Sequence, residues 1–358
     1  MSFERENIAQ ILGYLPGEQP SSSDVIKLNT NENPYPASPL VAETLSKIEV
    51  DELRRYPSAL ADEFCGIASR VHNVNPENII PTNGGDELLR LILTTFAGEN
   101  DTLAITSPSY SLYPVLANIQ GCSLTEIPLD KDLNYPNELA ELLVNSSAKI
   151  CFLVNPHAPT GGLLPVKFID KLASNFKGIL VVDEAYSDFV DPALRYDCIP
   201  LLNKHKNLLL LRTLSKGYSL AGLRFGYGLG DSELISPIKY KTRDSYNTDY
   251  ISQKLACAAL SSREYAMSTW EKIRKSRKSL SSKLEQLGLK FWPSQTNFIL
   301  VQMPDNPGAE YVYKKLKLDN ILVRHFDVNN LNDKIRITIG SEDENKRLIS
   351  SLVNILKV

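Results

Sequence analysis

The sequence of 358 residues lacks the marks of several common protein classes. Its five cysteines are scattered, odd in number and never form a Cys-x-x-Cys pair. This pattern argues against a disulfide framework and against a zinc site, and it is typical of buried thiols in a reducing compartment. Only four histidines are present and they lie far apart, so we predict no bound metal.

Charge and hydropathy exclude further classes. The net charge of -3 and the absence of any basic run argue against a nucleic-acid partner. No apolar run approaches the length of a membrane span, and the start, MSFERENIAQ, lacks the basic-then-apolar pattern of a secretion signal. With 43% apolar and 23% charged residues, the composition is that of a globular protein. We therefore expect a cytoplasmic protein without a membrane partner.

Short apolar runs alternate with helical patterns over much of the chain. The helical patterns include DELLRLILTTFA and PVKFIDKLASNF. Such alternation favours an α/β fold with a largely parallel sheet covered on both faces. The predicted buried strands are Ile79–Ile80, Thr102–Ile105, Ile150–Val154, Ile179–Val182 and Leu208–Leu211.

The character of the sequence changes near residue 240. A long helical pattern from Tyr250 to Gly288 is followed by strand-like NFILVQM, ILVRHF and KIRITIG and by a final amphipathic helix. We predict an N-terminal arm (1–35), a large domain (36–240) and a smaller α+β domain (241–358) with which the arm packs.

Each predicted strand of the large domain is apolar until its carboxyl end and then becomes abruptly polar. The following segments are PTNGGDE, TSPSY, NPHAPTG, DEAY and RTLSKG. Ligands of open α/β sheets bind at the carboxyl ends of the strands. Five polar clusters at one edge therefore predict a single site.

An anion and an aldehyde are the ligands that these clusters suit. Glycines followed by a helix in NGGDE, together with Arg224, Thr213 and Ser215, match phosphate oxygens. The motifs GxxxxGK[ST] and GxGxxG are absent, which weakens nucleotide interpretations. Lys216 beside a phosphate site suits a Schiff base. Taken singly, these segments are also compatible with a plain turn and a solvated charge.

Two further residues fit pyridoxal phosphate. Asp183, from VVDEAY, is placed to hold the protonated pyridine nitrogen, which makes the ring an electron sink. Tyr110 is an aromatic suited to the face of that ring. A helix cap for Asp183 and core packing for Tyr110 remain open alternatives.

The order of the motifs carries a family resemblance over nearly the whole chain. NENPY, NGGDE, SPSY, NPHAPTG, DEAY, TLSKGYSLAGLRFGY and RITIG occur in the order seen in fold-type I pyridoxal-phosphate aminotransferases, which the chain resembles. GYLPG, NENP, RRYP, ILVR and IRITIG make it similar, more narrowly, to the histidinol-phosphate aminotransferases.

The resemblance implies roles for individual residues in cofactor binding. Lys216 forms the Schiff base and then moves the proton, Asp183 pairs with the pyridine nitrogen, and Tyr186 reaches the phenolic oxygen. Tyr110 stacks on the ring, and Tyr56 reaches the phosphate in the neighbouring subunit of a homodimer. The cofactor phosphate is held by Gly84, Gly85, Asp86, Thr213, Ser215 and Arg224.

The resemblance also implies a substrate site for histidinol phosphate and for glutamate or 2-oxoglutarate. Arg336 grips a carboxylate, while Arg324 and Tyr14 meet the substrate phosphate. Asn33, Asn155 and Asn247 lie in motifs near the substrate.

One departure from the family pattern concerns the phenolic oxygen. The family has NPNNPTG, and the asparagine immediately before PTG binds that oxygen, but Ala158 stands there in this chain. Tyr186 then serves alone, or His157 or Asn155 contributes. Gly217 replaces a common alanine, which is a milder change.

Other readings of the same sequence differ in the reaction. A lyase like threonine-phosphate decarboxylase also binds a phosphate-bearing amino substrate, and an aromatic-amino-acid aminotransferase would need no phosphate. A regulator that kept the pocket without turnover is a non-enzyme alternative, disfavoured because Lys216 is intact and no DNA-binding segment is evident.

Overall fold

The computed structural model describes residues 3–20, 22 and 24–357. Its α-helices are α1 (Glu6–Ala9), α2 (Pro39–Ser46), α3 (Asp62–His72), α4 (Gly84–Phe96), α5 (Leu112–Gln120), α6 (Leu139–Asn145), α7 (Val166–Asn175), α8 (Ser232–Pro237), α9 (Tyr250–Ser261), α10 (Arg263–Gln286), α11 (Ala309–Leu318) and α12 (Glu342–Leu356). Its β-strands are β1 (Ile26–Lys27), β2 (Ile79–Thr82), β3 (Thr102–Ser107), β4 (Ser123–Pro128), β5 (Ile150–Val154), β6 (Ile179–Asp183), β7 (Leu208–Thr213), β8 (Gly226–Gly230), β9 (Phe298–Gln302), β10 (Ile321–Leu322), β11 (Arg324–His325) and β12 (Lys334–Thr338).

Seven strands form the central sheet, in the order β2-β8-β7-β6-β5-β3-β4. The pairs from β7 to β4 are parallel, whereas β8 runs antiparallel to both β2 and β7. Since two reversals cancel, β2 points the same way as the parallel strands. The predicted α/β fold with a mainly parallel sheet is confirmed, and the carboxyl ends of all five predicted strands lie at one edge.

Burial on both faces explains why the central strands were visible in the sequence. Every residue of β5 is buried, as are all but the first of β6 and the first four of β7. Strands covered on both faces have nearly continuous apolar runs. Two strands were not predicted from the sequence. They are β4, an edge strand with only Ile127 buried, and β8, whose sequence GYGLG has little strand propensity.

The glycines of β8 let helix α4 come unusually close to the sheet. A Cβ on Gly226 would lie 2.8 Å from the backbone carbon of Gly84 and from the backbone nitrogen of Gly85, and a Cβ on Gly228 would lie 3.0 Å from the Leu88 side chain. Glycine is therefore required here for close approach of two backbones. This contact fixes the start of α4 beside the end of β7.

The C-terminal part of the chain contains a second, antiparallel sheet in the order β11-β12-β9. The strand predicted from ILVRHF is divided, since β10 pairs instead with β1 of the N-terminal arm. This pairing supports a packing of the arm with the C-terminal region, while the division into domains remains a prediction. The single long helical pattern is likewise divided into α9 and α10 at Ser262, whose hydroxyl bonds to the Ala258 carbonyl and to Ser38.

Replacing Gly226 with alanine tests the close approach of α4 to β8. The added methyl group collides with backbone atoms of Gly84 and Gly85, so we expect a loss of about 1–3 kcal/mol in the free energy of unfolding, measured by urea denaturation. The matched control is Gly222→Ala, because a Cβ at that position has no atom within 4 Å. Equal stability of the two variants would contradict the argument.

Candidate active site

Lys216 lies in the loop that follows β7, at the carboxyl edge of the central sheet. Its Nζ donates a hydrogen bond of 2.8 Å to the carbonyl of Thr30 in the N-terminal arm. The pKa of the Lys216 amine is lowered to about 8, first by burial and then by the positive charge of Arg336. An amine with such a pKa is neutral in an appreciable fraction of molecules near neutral pH, so it is a competent nucleophile and base.

Asp183 ends the neighbouring strand β6 and is 5% exposed. Its Oδ2 accepts a hydrogen bond of 2.9 Å from the Tyr113 hydroxyl, and its Oδ1 accepts one of 3.1 Å from the backbone nitrogen of Ala185. Burial raises the pKa of the Asp183 carboxyl to about 6, while both hydrogen bonds act in the opposite direction. The group is thus a buried carboxylate at neutral pH, and such a group is stabilised by a cationic partner.

Tyr113 was not found by the sequence analysis. It lies on α5, is fully buried and packs edge-on against Tyr110 and Phe152. Its sequence context, an apolar helix, is that of an ordinary core residue, so no local signal distinguishes it. Only the fold brings its hydroxyl to Asp183.

The residues predicted to bind phosphate come together at the start of α4. Arg224 Nη2 lies 3.4 Å from Asp86 Oδ2, Arg224 Nη1 lies 3.4 Å from Ser215 Oγ, and Thr213 Oγ1 donates to Ser215 Oγ at 3.0 Å. Gly84 has φ +77, and a Cβ on it would lie 2.6 Å from Arg224 Nη2. A helix N-terminus, two hydroxyls and a guanidinium form an anion site.

Tyr110 contacts both the anion site and the N-terminal arm. Its hydroxyl donates to Asp86 Oδ1 at 3.2 Å, and its ring centroid lies 5.8 Å from that of Tyr14 in an edge-to-face contact. Tyr14 therefore reaches the site from the N-terminal arm, as predicted for a substrate-binding residue, although its binding role remains a prediction.

Tyr186 lies on the other side of the site and receives a hydrogen bond from the arm. Its hydroxyl accepts from Asn31 Nδ2 at 2.9 Å, and its ring packs edge-on against Phe298 at 5.1 Å. Burial raises the pKa of the Tyr186 phenol, and the nearby charge of Arg336 opposes this shift. Asn31 is a second residue that the sequence analysis did not find.

The loop that contains Ala158 directs its polar groups to itself and to its neighbours. Asn155 bonds through Nδ2 and Oδ1 to the backbone of Leu164 and also donates to the Tyr196 hydroxyl. His157 Nδ1 pairs with Thr160 Oγ1, and burial lowers its pKa to about 4. Asn155 is thus engaged in holding its own loop, and no contact among the described residues supports the predicted role in substrate binding.

Two arginines define the far end of the site. Arg324 on β11 and Arg336 on β12 are directly opposite each other in register, which puts their side chains on the same face of the sheet. Both guanidinium groups lie 5.7 Å from the ring centroid of Phe326, and that of Arg336 lies 5.0 Å from that of Phe298. The pair is suited to two anionic groups of a substrate.

Most of the hydrogen-bonding capacity of Arg336 is unused. Its Nη2 donates to the Asn29 carbonyl at 3.1 Å, and its buried Nε has no hydrogen-bond partner among the described residues. Burial lowers the pKa of this guanidinium. A buried unpaired donor is costly, and an acceptor such as a carboxylate would satisfy it.

Three predicted residues are not brought into contact with this cluster of groups. Asn33 holds the loop beside Lys216 through bonds to the Gly217 carbonyl and Thr269 Oγ1. Asn247 bonds to the Pro81 carbonyl and to Glu87 Oε2. Tyr56 stacks on Tyr246 at 4.4 Å and is 81% exposed, so within one chain it has no place in the site.

Among the described residues, no group of histidine, cysteine and acidic side chains could hold a metal ion. None of the helices in that part of the chain combines the length and apolar character needed to span a bilayer.

Comparison with known proteins identifies the family. The model of the family described as aminotransferase class I and II matches residues 23–352. The chain belongs to this family. Among the aminotransferases it is 40% identical to histidinol-phosphate aminotransferase 1 of Trichormus variabilis, over 99% of both chains. It is 39% identical to the histidinol-phosphate aminotransferase of Syntrophotalea carbinolica, over 99% of this chain and 100% of that one.

Solved structures of more distant relatives share the fold. The histidinol-phosphate aminotransferase of Sinorhizobium meliloti, in complex with pyridoxal 5'-phosphate, has a TM-score of 0.89 at 24% identity and covers 100% of this chain and 98% of its own. The L-threonine-O-3-phosphate decarboxylase of Porphyromonas gingivalis has a TM-score of 0.79 at 21% identity, covering 93% and 100%. The fold of this aminotransferase thus accommodates more than one reaction.

Tyr113→Phe tests the hydrogen bond to Asp183. Loss of the donor removes about 1.5–3 kcal/mol of stabilisation from the carboxylate, so we expect roughly ten- to hundredfold weaker binding of pyridoxal 5'-phosphate. The pKa of Asp183 rises above about 6, and protonation removes the charge that holds a cation. When the pH is lowered, the variant should therefore begin to lose affinity for the cofactor at a higher pH than the wild-type protein does.

The matched control is Tyr135→Phe, since the buried Tyr135 hydroxyl has no hydrogen-bond partner in the part of the chain that the structure describes. Equilibrium dialysis of the cofactor over a range of pH values measures both variants. An affinity for Tyr113→Phe that equals that of the control at every pH would refute the role of this bond.

Proposed function

We propose that this aminotransferase transfers the amino group of L-histidinol phosphate to 2-oxoglutarate, with pyridoxal 5'-phosphate as cofactor, in histidine biosynthesis. The observation that carries the proposal is the 40% identity, along 99% of both chains, with a histidinol-phosphate aminotransferase. The paired arginines Arg324 and Arg336 support it, because a phosphate-bearing amine and a dicarboxylate both need cationic partners.

The residues of the site fit pyridoxal phosphate group by group. The cofactor has an aldehyde, a ring nitrogen, a phenolic oxygen and a phosphate, which correspond to Lys216, Asp183, Tyr186 and the cradle at the start of α4. That cradle exists because Gly84 has no side chain, since a Cβ there would lie against Arg224 Nη2. When bound, the cofactor supplies an electrophilic carbon for the substrate amine and a ring that accepts electrons.

The protein contributes binding and proton transfer. The buried Asp183 carboxylate holds a protonated ring nitrogen, and the Tyr186 hydroxyl donates to the phenolic oxygen. Nζ of Lys216, in its neutral form, takes the proton from the substrate carbon that bears the amino group. The lowered pKa of about 8 keeps this amine close to the pH at which it must both accept and release a proton.

Each of the two arginines binds the anionic group of a different substrate. Arg336, with its unpaired buried Nε, holds the carboxylate of glutamate as a planar fork. Arg324 and Tyr14 hold the phosphate of histidinol phosphate. We do not include three predicted asparagines in the substrate site, because their side chains bond to neighbouring protein atoms. They are Asn33, Asn155 and Asn247.

A homodimer would complete the site with Tyr56. Tyr56 is 81% exposed, and the adjoining 3-10 helix Val50–Arg54 has the exposed apolar residues Val50 and Leu53. Exposed apolar groups of this kind mark protein contact surfaces. We place Tyr56 at the cofactor phosphate of the partner subunit. We also propose that the N-terminal arm (1–35) packs with the smaller domain.

We propose further that the enzyme is cytoplasmic, a compartment in which its five buried, free cysteines stay reduced.

Mixing the purified holoenzyme with L-histidinol phosphate tests the function. Transfer of the amino group converts the cofactor to its amine form, so we expect loss of the absorption band of the lysine-bound cofactor and its recovery on addition of 2-oxoglutarate. Lys216→Ala should abolish the response. An unchanged spectrum with histidinol phosphate would contradict the assignment.

Two further amines serve as controls for the alternatives. Threonine phosphate with release of carbon dioxide would indicate a decarboxylase, and a response to phenylalanine that exceeds the response to histidinol phosphate would indicate an aromatic-amino-acid aminotransferase.

In Arg324→Gln, we expect the Michaelis constant for histidinol phosphate to rise by roughly tenfold or more, the equivalent of about 1.5–3 kcal/mol for a lost charge-assisted bond, with a smaller effect on glutamate.

A further inference from the structure

Ala158 stands at the position where the family resemblance implies an amide for the cofactor's phenolic oxygen, and its methyl group offers no hydrogen-bond donor. Asn155 does not replace it, since its amide is engaged with Leu164 and Tyr196. His157 is held through Nδ1 by Thr160, and its buried Nε2 has no hydrogen-bond partner among the described residues, Tyr186 included. Tyr186 is then the hydroxyl donor on this side of the site. The direction in which its single proton points becomes decisive, because a phenol that donates elsewhere can only accept.

Asn31 determines that direction. Its Nδ2 lies 2.9 Å from the Tyr186 hydroxyl oxygen, and an amide nitrogen can only donate. Tyr186 must therefore accept this bond, which leaves its own proton for another partner. Asn31 is 1% exposed, so water does not compete for the contact.

The orientation of the Asn31 amide is itself fixed by Thr338 on β12. The Thr338 hydroxyl accepts from the backbone nitrogen of Asn31 at 3.0 Å and donates to Asn31 Oδ1 at 3.2 Å. With the hydroxyl proton donated to Oδ1, the amide nitrogen of Asn31 is the group that faces Tyr186. Asn297 Nδ2 holds the Asn31 carbonyl at 2.9 Å, and the left-handed φ of +58 at Asn31 is one that asparagine tolerates.

We propose that Asn31 is a positioning residue that makes Tyr186 a hydrogen-bond donor to the cofactor's phenolic oxygen, in place of the amide missing at position 158. The proposal rests on the cofactor of the proposed function and is independent of which amine is the substrate. Thr338 lies two residues from Arg336 on β12, on the same face of the strand. The residue that orients the phenol is thus held by the strand that carries the substrate arginine.

A donor to the phenolic oxygen favours its ionised form, so it lowers the pKa that is read from the absorption band of the bound cofactor. Other charged and titratable groups face Tyr186: Arg336 from β12, Asp183 from β6, Tyr14 from the arm, Tyr110 from the loop before α5 and Tyr113 from α5. These groups are unchanged in the variants below. In the uncharged variants Asn31→Gly and Tyr186→Phe, a shift in the pKa therefore reports the hydrogen bond, whereas the shift in Asn31→Asp also contains the effect of the added negative charge.

The test compares holoenzymes by pH titration of the cofactor absorption without substrate. Asn31→Asp keeps the shape and the bond from Thr338 but replaces the donor by an acceptor, so Tyr186 turns its proton towards residue 31. We expect the pKa to rise by about one unit or more, and Tyr186→Phe to produce a rise of similar size. The double variant Asn31→Gly/Tyr186→Phe should show no rise beyond that of Tyr186→Phe, because both uncharged changes remove the same bond.

Two more variants make the result decisive. Asn31→Gly suits the positive φ and removes the donor, so it should raise the pKa even if the aspartate variant folds poorly. Asn345→Asp is the control, because Asn345 is a buried asparagine whose Nδ2 donates to the Gly340 carbonyl. It should lose stability in urea without a change in the cofactor pKa.

Additive shifts for Asn31 and Tyr186, or shifts at Asn31 no larger than that of Asn345→Asp, would overturn the proposal. Absence of a shift in Tyr186→Phe would overturn it as well, since Tyr186 would not then reach the phenolic oxygen. Failure of the wild-type protein to show any cofactor band would instead refute the proposed cofactor. A response to the cofactor but not to histidinol phosphate would refute only the proposed substrate.

Discussion

Desolvation at the carboxyl edge of the central sheet is the constraint on which the site depends. It acts on a base and an acid that follow neighbouring strands, and it moves their pKa values towards each other. Burial lowers the pKa of Lys216 to about 8 and raises that of Asp183 to about 6. One physical effect thus yields an amine that can be neutral and a carboxylate that requires a cation, which are the two properties that pyridoxal chemistry needs from a protein.

The fold produces this environment through close contacts. Strand β8 contributes no side chain at Gly226, and helix α4 therefore begins directly beside the end of β7, where Arg224, Thr213 and Ser215 complete an anion cradle. The N-terminal arm closes another side, since the Thr30 carbonyl accepts from Lys216 and Asn31 donates to Tyr186. Residues from distant parts of the chain thus exclude water from one small region.

The sequence was most informative where strand ends carry chemistry. Lys216 and Asp183 were predicted because each comes at the end of a buried apolar run at the same edge of a parallel sheet. Arg224 was predicted because its guanidinium, together with Thr213 and Ser215, matches phosphate oxygens. Asn31 and Tyr113 were missed for different reasons. Tyr113 has the context of a core helix. Asn31 and Tyr186 are 155 residues apart in sequence, and their contact depends on the bonds that hold Asn31 to Thr338 of β12. Asn155 shows the converse, because motif similarity indicates which residue is present but not where its side chain points.

The fold was predictable for similar reasons, with two exceptions. Strands buried on both faces have continuous apolar runs and were found, whereas the exposed edge strand β4 and the glycine-rich strand β8 lack that signal. β8 matters most, because its reversal explains how β2 and the parallel strands share one direction. Gly226 and Gly228 allow close contact between β8 and α4 and do not favour strand formation. This role becomes apparent only when the position of α4 is known.

The most direct test of the account is to identify the amine that binds the cofactor. The holoenzyme would be reduced with borohydride, digested and analysed by mass spectrometry of its peptides. The account predicts a single pyridoxyl-phosphate adduct on Lys216, which disappears when the protein is reduced after conversion by an amino donor. An adduct on another lysine, or none on Lys216, would contradict it.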